Sequence, residues 1–330
     1  MLISEPIDAV VMWVDGSDPA FLASQDAALK AERAKGRKIV VSAARHRDNG
    51  ELRYTLRALL HNAPWLRRIH IVTNGQVPDW LEFDGDRIRH VTHAEIFPDP
   101  EMLPNFNTFA IESCLHRIPG LSETFLRLSD DFFIGRPVTA AEILGAAGTG
   151  HLVFHGGVSA KPKTRYQRQI ARNADLFEAR MGLRPGVNYA HAPQLRSKTL
   201  FEAFAATFAE EIAQTRGHRF RDEADIIPLF LYPYFHMMKL RPEAAVEVAQ
   251  GRSAGDFRVV ERIFNKIYMQ VLVGGTERDW RGRMRQVSDR RPLFFNVNDQ
   301  FTKDDYEVEL AAMIDFLERM FPDPIPQERD

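Results

Sequence analysis

The sequence predicts an α/β fold built on a mostly parallel sheet, with an added helical part in the second half. Two observations lead there. The short run "IDAVVMWV" is largely apolar and valine-rich rather than alternating, the pattern of a strand covered on both faces. Stretches with helical spacing stand between such runs through the first 145 residues, and that alternation is what parallel strands with helical crossovers require.

Taken in order, "IDAVVMWV" is the first strand and "DGSDP" the turn that ends it. "RHRDNGELRYTLRALLHNAP" reads as a helix, with Asp48 or Asn49 as its cap and Leu52, Leu56, Leu59 and Leu60 as its apolar stripe. "RIHIVTNG" is a strand closed by an Asn-Gly turn, and "RIRHVTHAEIF" a weaker one. "FNTFAIESCLHRIPG" is helix-like up to Pro119-Gly120, and "ETFLRLSDDFFIG" is again a strand. Residues 146–186, rich in Gly, Lys, Arg and Gln, read as an irregular solvated insert, and 187–287 as largely helical.

In that helical part "TLFEAFAATFAEEIAQTRG" spaces Leu200, Phe204, Phe208 and Ile212 four apart. "IIPLFLYPYFHMM" reads as a buried helix or two short pieces, and "DFRVVERIFNKIYMQVLVGG" as another helix. Residues 288–330 supply a last strand, "PLFFNVND", and a terminal helix, "YEVELAAMIDFLERMF". All these parts belong to one domain spanning 1–330, with 1–145 as its α/β half.

Composition narrows the function classes. A chain of 330 residues, 45% hydrophobic, can bury one large core or two modest ones. The formal net charge of -2 excludes a protein that reads nucleic acid by bulk electrostatics. One cysteine, Cys114, excludes an internal disulfide and fits a reducing compartment. "MLISEPIDAVVMWVDG" has no basic region ahead of its apolar run, so no signal peptide is expected. The longest apolar stretch reaches about half a membrane span, so the expectation is a soluble, cytoplasmic protein.

In open α/β sheets ligands bind beyond the carboxyl ends of the strands. Four such ends carry acids or amides: "WVDGSD" (Asp15, Asp18), "VTNG" (Asn74), "LSDD" (Asp130, Asp131) and "NVND" (Asn298, Asp299). Gathered on one edge they would form an oxygen-rich site suited to Mg²⁺ or Mn²⁺. The bland alternative makes each a turn or cap residue. It is weakest for Asp130-Asp131, because two adjacent carboxylates between large apolar residues are costly to bury without a cation or other partner.

Other candidates remain open on spacing alone. Glu112 and His116 would share a helix face, as an exposed pair or one turned into the cleft. Arg47, Arg53, Arg57, Arg67 and Arg68 surround the first predicted helix, where one or two could grip a diphosphate by bidentate hydrogen bonds. His191 lies in a loop and could be a general base. Arg219 and Arg221 stand beside three acids, where surface ion pairing is the default. "RDWRGRMRQVSDRR" would be a solvated face, a guide for an anionic acceptor, or a dock on an acidic membrane. No P-loop, dinucleotide fingerprint, zinc set or nucleophile triad stands out.

Taken together, "IDAVVMWVDGSDP", "RHRDNGELRYTLRALLHNAPWLRRIHIVTNGQVPDWL", "LPNFNTFAIESCLHRIPGLSETFLRLSDDFFIGRPV", "NYAHAPQLRSK" with "RFRDEADI", and "FFNVND" resemble the ordered blocks of the Stealth family. That family includes capsular-polysaccharide phosphotransferases and the catalytic subunit of lysosomal-enzyme N-acetylglucosamine-1-phosphotransferase. The resemblance implies a GT-A-like (Rossmann-like) fold and transfer of sugar-1-phosphate from a UDP-sugar to a hydroxyl of a glycan, with release of UMP. It matches Glu112, Asp131, His191, Arg221 and Asn298-Asp299 to family positions, and departs at Ser129, where asparagine is usual. Segments 146–186 and 241–287 fall outside it and should carry acceptor-specific differences.

On this reading Asp131 and Asp299 bind Mg²⁺ with Asp130 and Asn298 in support. Arg221 holds phosphate oxygens, and His191 or Glu112 takes the hydroxyl proton. Asp15, Asp18, Asn49, Arg53 and Asn74 belong to the nucleotide end. Two rivals share the pattern: a glycosyltransferase that attacks the anomeric carbon and releases UDP, and a non-catalytic glycan-binding module.

Overall fold

Strand β1 (Ile7–Met12) runs through the middle of a sheet covered on both sides, which explains its largely apolar run. The structure, a computed structural model, describes residues 5–41, 46–146, 148–260, 266–274, 279–301 and 305–329. After β1 comes helix α1 (Pro19–Ala34), which the sequence reading had not anticipated. Asp18 caps it by accepting the amides of Ala20 and Phe21, and Pro19 fills its first turn.

Helix α2 (Glu51–Asn62) follows, then β2 (Ile69–Thr73), β3 (Ile88–Thr92) and the single turn α3 (His93–Ile96). The cap of α2 is Gly50, at φ 84°, not Asp48 or Asn49. Asp48 instead accepts the Gly50 amide, and Asn49 is turned elsewhere, as described below. Helix α4 (Thr108–Glu112) is short and leads through a 3-10 turn to β4 (Thr124–Ser129).

Strands β3, β2, β1 and β4 are parallel neighbours in that order. Ala9, Val11, Ile69, Ile71, Leu126 and Leu128 face α2 through its Leu52, Leu56 and Leu59. Val10, Val72, Val91 and Phe125 face the opposite layer of Ala110, Cys114 and Leu115. The expected class, α/β with a mostly parallel sheet, is what the chain forms.

Asp130 and Asp131 alone separate β4 from β5 (Phe132–Ile134), which belongs to a second sheet. Beyond α5 (Ala140–Leu144), the segment expected to be irregular carries β6 (Leu152–Gly157) and the helix α6 (Arg165–Met181). Gln169 and Asn173 occupy buried positions of α6, so its inward stripe is partly polar and hidden from a hydrophobic pattern. Strand β7 (Val187–Tyr189) pairs with β6, and β8 (Gln194–Ser197) returns as the antiparallel edge of the first sheet, beside β4.

The predicted helix at 198–217 is two, α7 (Lys198–Thr207) and α8 (Ala209–Gly217), broken at Phe208. The apolar stretch is one buried helix, α9 (Pro228–Leu240), continuous through Pro233, and α10 (Pro242–Ala249) follows. The segment read as a further helix is instead two strands among the described residues, β9 (Phe257–Val260) and β10 (Tyr268–Gly274). Its Val and Ile residues suit a pleated surface better than a helix.

Helix α11 (Trp280–Arg290), β11 (Phe294–Gln300) and α12 (Tyr306–Met320) complete the chain. The second sheet runs β10-β11-β5, with β11 parallel to β10 and antiparallel to β5. Phe133 and Phe295 stack across it at 4.9 Å, against Met284 of α11 and Phe316 and Leu317 of α12.

Candidate active site at the seam of two sheets

A pocket of about 570 Å³ opens at the carboxyl edge of the parallel strands. Its wall takes Met12, Trp13 and Val14 after β1, Asn74 after β2, Asp130 and Asp131 after β4, and Val297, Asn298 and Asp299 on β11. All four predicted strand ends therefore meet at one cavity. Its size suits a ligand as large as a nucleotide sugar.

The acidic side is organised by β11. Asn296 and Asn298 lie two apart and so share a face. Their amides reach Asp131 Oδ2 at 3.3 and 3.4 Å. Asp299 Oδ2 accepts Asn49 Nδ2 at 2.8 Å and Arg47 Nη1 at 3.2 Å, while its Oδ1 is buried with no hydrogen bond among the described residues. Glu51 in turn holds Asn49, accepting its backbone and side-chain amides.

Burial pushes the Glu51 carboxyl up to about 7. Burial also raises Asp130, reinforced by the charges of Asp131, Glu51 and Asp48, and carries it well above the usual carboxylate range. A site that crowds acids in this way holds protons that a cation could displace.

These donors fit a hard divalent ion in kind. All are oxygens, one of them the unpartnered Asp299 Oδ1, and Asn298 keeps its carbonyl oxygen available. Among the described residues, however, no three acid, histidine or cysteine side chains surround a common point. The expected set thus lines one pocket without forming a closed cage. Asp131 turns to Asn296 and Asn298, and Asp299 to Asn49 and Arg47.

The same cavity also takes Glu112, Arg127 and Arg221. Glu112, 1% exposed, accepts Arg196 Nη2, and Arg127 Nε stands 3.3 Å from the same oxygen. Burial alone would raise the Glu112 carboxyl, but the charges of Arg127 and Arg196 outweigh it and hold the group below its ordinary value. Glu112 and His116 do not form the pair their spacing allowed, because the helix ends at Glu112 and the His116 ring stacks on Phe201 at 5.0 Å.

Arg221 lies over the Phe109 ring at 4.5 Å. Its loop is tied down by buried Asp225, which accepts His218 Nδ1 at 2.6 Å and Asn107 Nδ2 at 2.8 Å. His191 sets its ring against Phe132 at 4.8 Å, and its carbonyl accepts the Tyr268 hydroxyl. Burial lowers the His191 pKa; Asp131 opposes that shift, and Arg127 and Arg221 add to it.

Glu112, Asp130, Asp131, His191, Arg221, Asn74, Asn298 and Asp299 thus line one cavity, with Asn49 directly behind Asp299. Asp15, Asp18 and Arg53 do not line it. Asp15 accepts the amide and hydroxyl of Ser17 in the turn, and Asp18 caps α1. The bland reading holds for both. Arg53 sits over Trp80 at 4.8 Å and 3.8 Å from Glu328, on the far side of α2. Arg57 and Arg67 are likewise committed, to Glu328 and Asp8, while Arg47 alone of that group lines the pocket. Arg127, Glu51 and Asn296 had not been singled out. A lone arginine inside the apolar strand "TFLRLS" was the available signal for the first.

Fold and pocket together define an α/β protein whose sheet edge gathers acids and arginines around one pocket. The chain belongs to the Stealth family. It matches Stealth protein conserved region 1 over residues 5–33, region 2 over 45–151 and region 3 over 190–238, together more than half of its length.

A protein named exopolysaccharide phosphotransferase from Streptomyces coelicolor is 40% identical over 239 residues, covering 70% of this chain and 40% of that protein. Another from the same organism is 35% identical over 98% of this chain and 52% of its own length. Exopolysaccharide phosphotransferase CpsY of Mycobacterium tuberculosis is 32% identical over 98% of this chain and 58% of its own length. The chain therefore spans well under two thirds of these curated relatives. Among solved structures, the galactosyltransferase LgtC with donor and acceptor sugar analogues aligns over 94% of this chain and 95% of its own, at 10% identity and a TM-score of 0.41. At that distance no residue role is carried over from it.

No helix among the described residues is long and apolar enough to cross a membrane.

Proposed function

We propose that this protein is a phosphotransferase of polysaccharide synthesis that moves hexose-1-phosphate from a UDP-sugar to a hydroxyl of a glycan acceptor and releases UMP. The supporting observation is that His191, Arg221 and the Asp130-Asp131 pair face one cavity of nucleotide-sugar size. The apolar wall of Trp13, Val14 and Phe106 would take the base, and Asn74 the nucleotide end.

The acceptor oxygen attacks the phosphorus that carries the sugar. The bond from that phosphorus to the bridging oxygen breaks, and the bridging oxygen leaves with its electron pair on UMP. Catalysis of such a transfer rests on positioning and on neutralising charge around phosphorus. Arg221 supplies one fixed positive charge. Asp130, Asp131, Asn298 and Asp299 would hold Mg²⁺ or Mn²⁺, which when bound neutralises diphosphate oxygens.

Of the two candidate bases, His191 is the better placed. Burial, together with Arg127 and Arg221, favours its neutral, proton-accepting form near pH 7. Glu112 is engaged by Arg196 and is held at low basicity. A cytoplasmic location belongs to the same proposal, as does contact of the exposed Arg281 and Arg285 of α11 with an anionic membrane surface.

The test is a panel of UDP-sugars with Mg²⁺ and oligosaccharide acceptors, scored for nucleotide product and, by ³¹P NMR, for a phosphodiester. UMP with a phosphodiester supports the proposal. UDP as the product replaces it with glycosyl transfer, and no turnover with any donor favours a glycan-binding module.

A further inference from the structure

Arg127 occupies the middle of β4, between Leu126 and Leu128, and is 2% exposed. Its Nε faces Glu112 at 3.3 Å without hydrogen-bond geometry, and neither Nε nor Nη1 makes a hydrogen bond among the described residues. Arg196, 1% exposed, is the partner that does bond Glu112, and it also donates Nε to Gln194 Oε1 at 3.0 Å. Glu112 Oε1 is therefore hydrogen-bonded by Arg196 and only ion-paired with Arg127.

Arg127 and Arg196 also share the one carboxylate of Glu112 as their ion-pair partner. A buried guanidinium with unmet donors and a shared counter-charge is an expensive thing for a fold to keep. Arg127 nevertheless lines the cavity, together with Arg221, His191 and Asp131. Its unmet donors thus stand at the wall of a ligand pocket.

We infer that Arg127 is a phosphate-binding residue, whose guanidinium, steadied by Glu112 and the Phe132 ring, donates hydrogen bonds to a phosphate oxyanion entering the pocket. This deepens the nucleotide-sugar reading and rests on it for the source of the phosphate. Guanidinium suits the role because its donors are fixed in a plane that matches phosphate oxygens. Arg221 and Arg127 would then contact the anion from two elements, a loop and a strand. A bound anion supplies acceptors for the donors that Glu112 leaves unmet on Arg127.

The test is calorimetric titration of the wild type, R127M and R127K in magnesium buffer with uridine, UDP and inorganic pyrophosphate. R127M should bind pyrophosphate ten- to a hundredfold more weakly while uridine binding stays unchanged, and R127K should lose about tenfold. A matching loss for UDP places the anion in the donor. A loss confined to pyrophosphate places it on a charged acceptor. Equal affinity of wild type and variants for both anions overturns the inference, as does a wild type whose melting point does not rise with pyrophosphate. If R127M fails to fold, R127K carries the comparison. Wild type that binds UDP through Arg127 yet transfers no sugar-phosphate would remove the proposed function and leave this inference standing.

Discussion

Replacing Glu112 by glutamine tests whether the family's glutamate is an anchor or a base. The side chain is 1% exposed, bonded to Arg196 and 3.3 Å from Arg127. At an effective dielectric of about 20, two unit charges 4 Å apart attract by about 4 kcal/mol, and Glu112 serves two such partners. Removing its charge also removes its own burial cost of several kcal/mol, so the net loss should be about 3–5 kcal/mol, the usual result of stranding buried charge.

For a chain of this size that is a fall in melting temperature of roughly 4–7 °C. E112Q should therefore unfold earlier in heat and in urea. The double variant E112M/R196M, which removes both members of the hydrogen-bonded pair, should recover part of the loss, with Arg127 left as the remaining buried charge. Activity should track the folded fraction and return in part with the double variant. If E112Q melted with the wild type yet lost turnover by orders of magnitude, Glu112 would be a chemical group and the structural argument would be wrong.

Three further outcomes follow from the same geometry. H191A should lower kcat by about 10²–10⁴. In the wild type, kcat/KM should rise with pH through a value below the ordinary histidine range and stay level above it, because burial favours the neutral ring; a rise centred above pH 7 would contradict this. N49A removes the amide that holds Asp299 Oδ2 at 2.8 Å, and should raise the magnesium concentration for half-maximal activity about tenfold with little change in melting point. Asp8 is buried, but hydrogen bonds from His70, Arg67 and the Ser122 amide outweigh the effect of burial and hold its carboxyl far below the usual range. D8N should therefore cost about 2–4 kcal/mol in urea unfolding at pH 7, and the gap to the wild type should close as pH falls below about 4, where the unfolded carboxyl takes up its proton.

What the sequence disclosed divides along physical lines. Strands β1, β2, β4 and β11 were readable because both of their faces are covered or they end in a sharp turn, so composition alone marks them. Helices α2 and α12 were readable from an apolar stripe. Helices α1 and α6 were not, since they bury Gln25, Glu32, Gln169 and Asn173 where a stripe would place leucines. Their terminal signals were nonetheless present, Asp18-Pro19 in one and the Thr164–Gln167 capping box in the other. The convergence of Asn74, Asp131 and Asp299 could be anticipated from the strand-end rule. The diversion of Asp15 and Asp18 into a turn and a cap was legible as the local alternative, since their partners lie two or three residues away, whereas that of Arg53 toward Glu328 depends on a residue distant in the chain.

The two-residue weld between β4 and β5 also has a consequence for biosynthesis. Asp131 leaves the ribosome 165 positions ahead of the Asn296 that steadies it, and β5 has no β11 to lie against until then. A nascent chain carrying every parallel strand of the first sheet still holds its acid pair open to water. Products ended before β11 would lack Asn296, Asn298 and Asp299, however well that first sheet had condensed, and the pocket wall is complete only once that strand has been added.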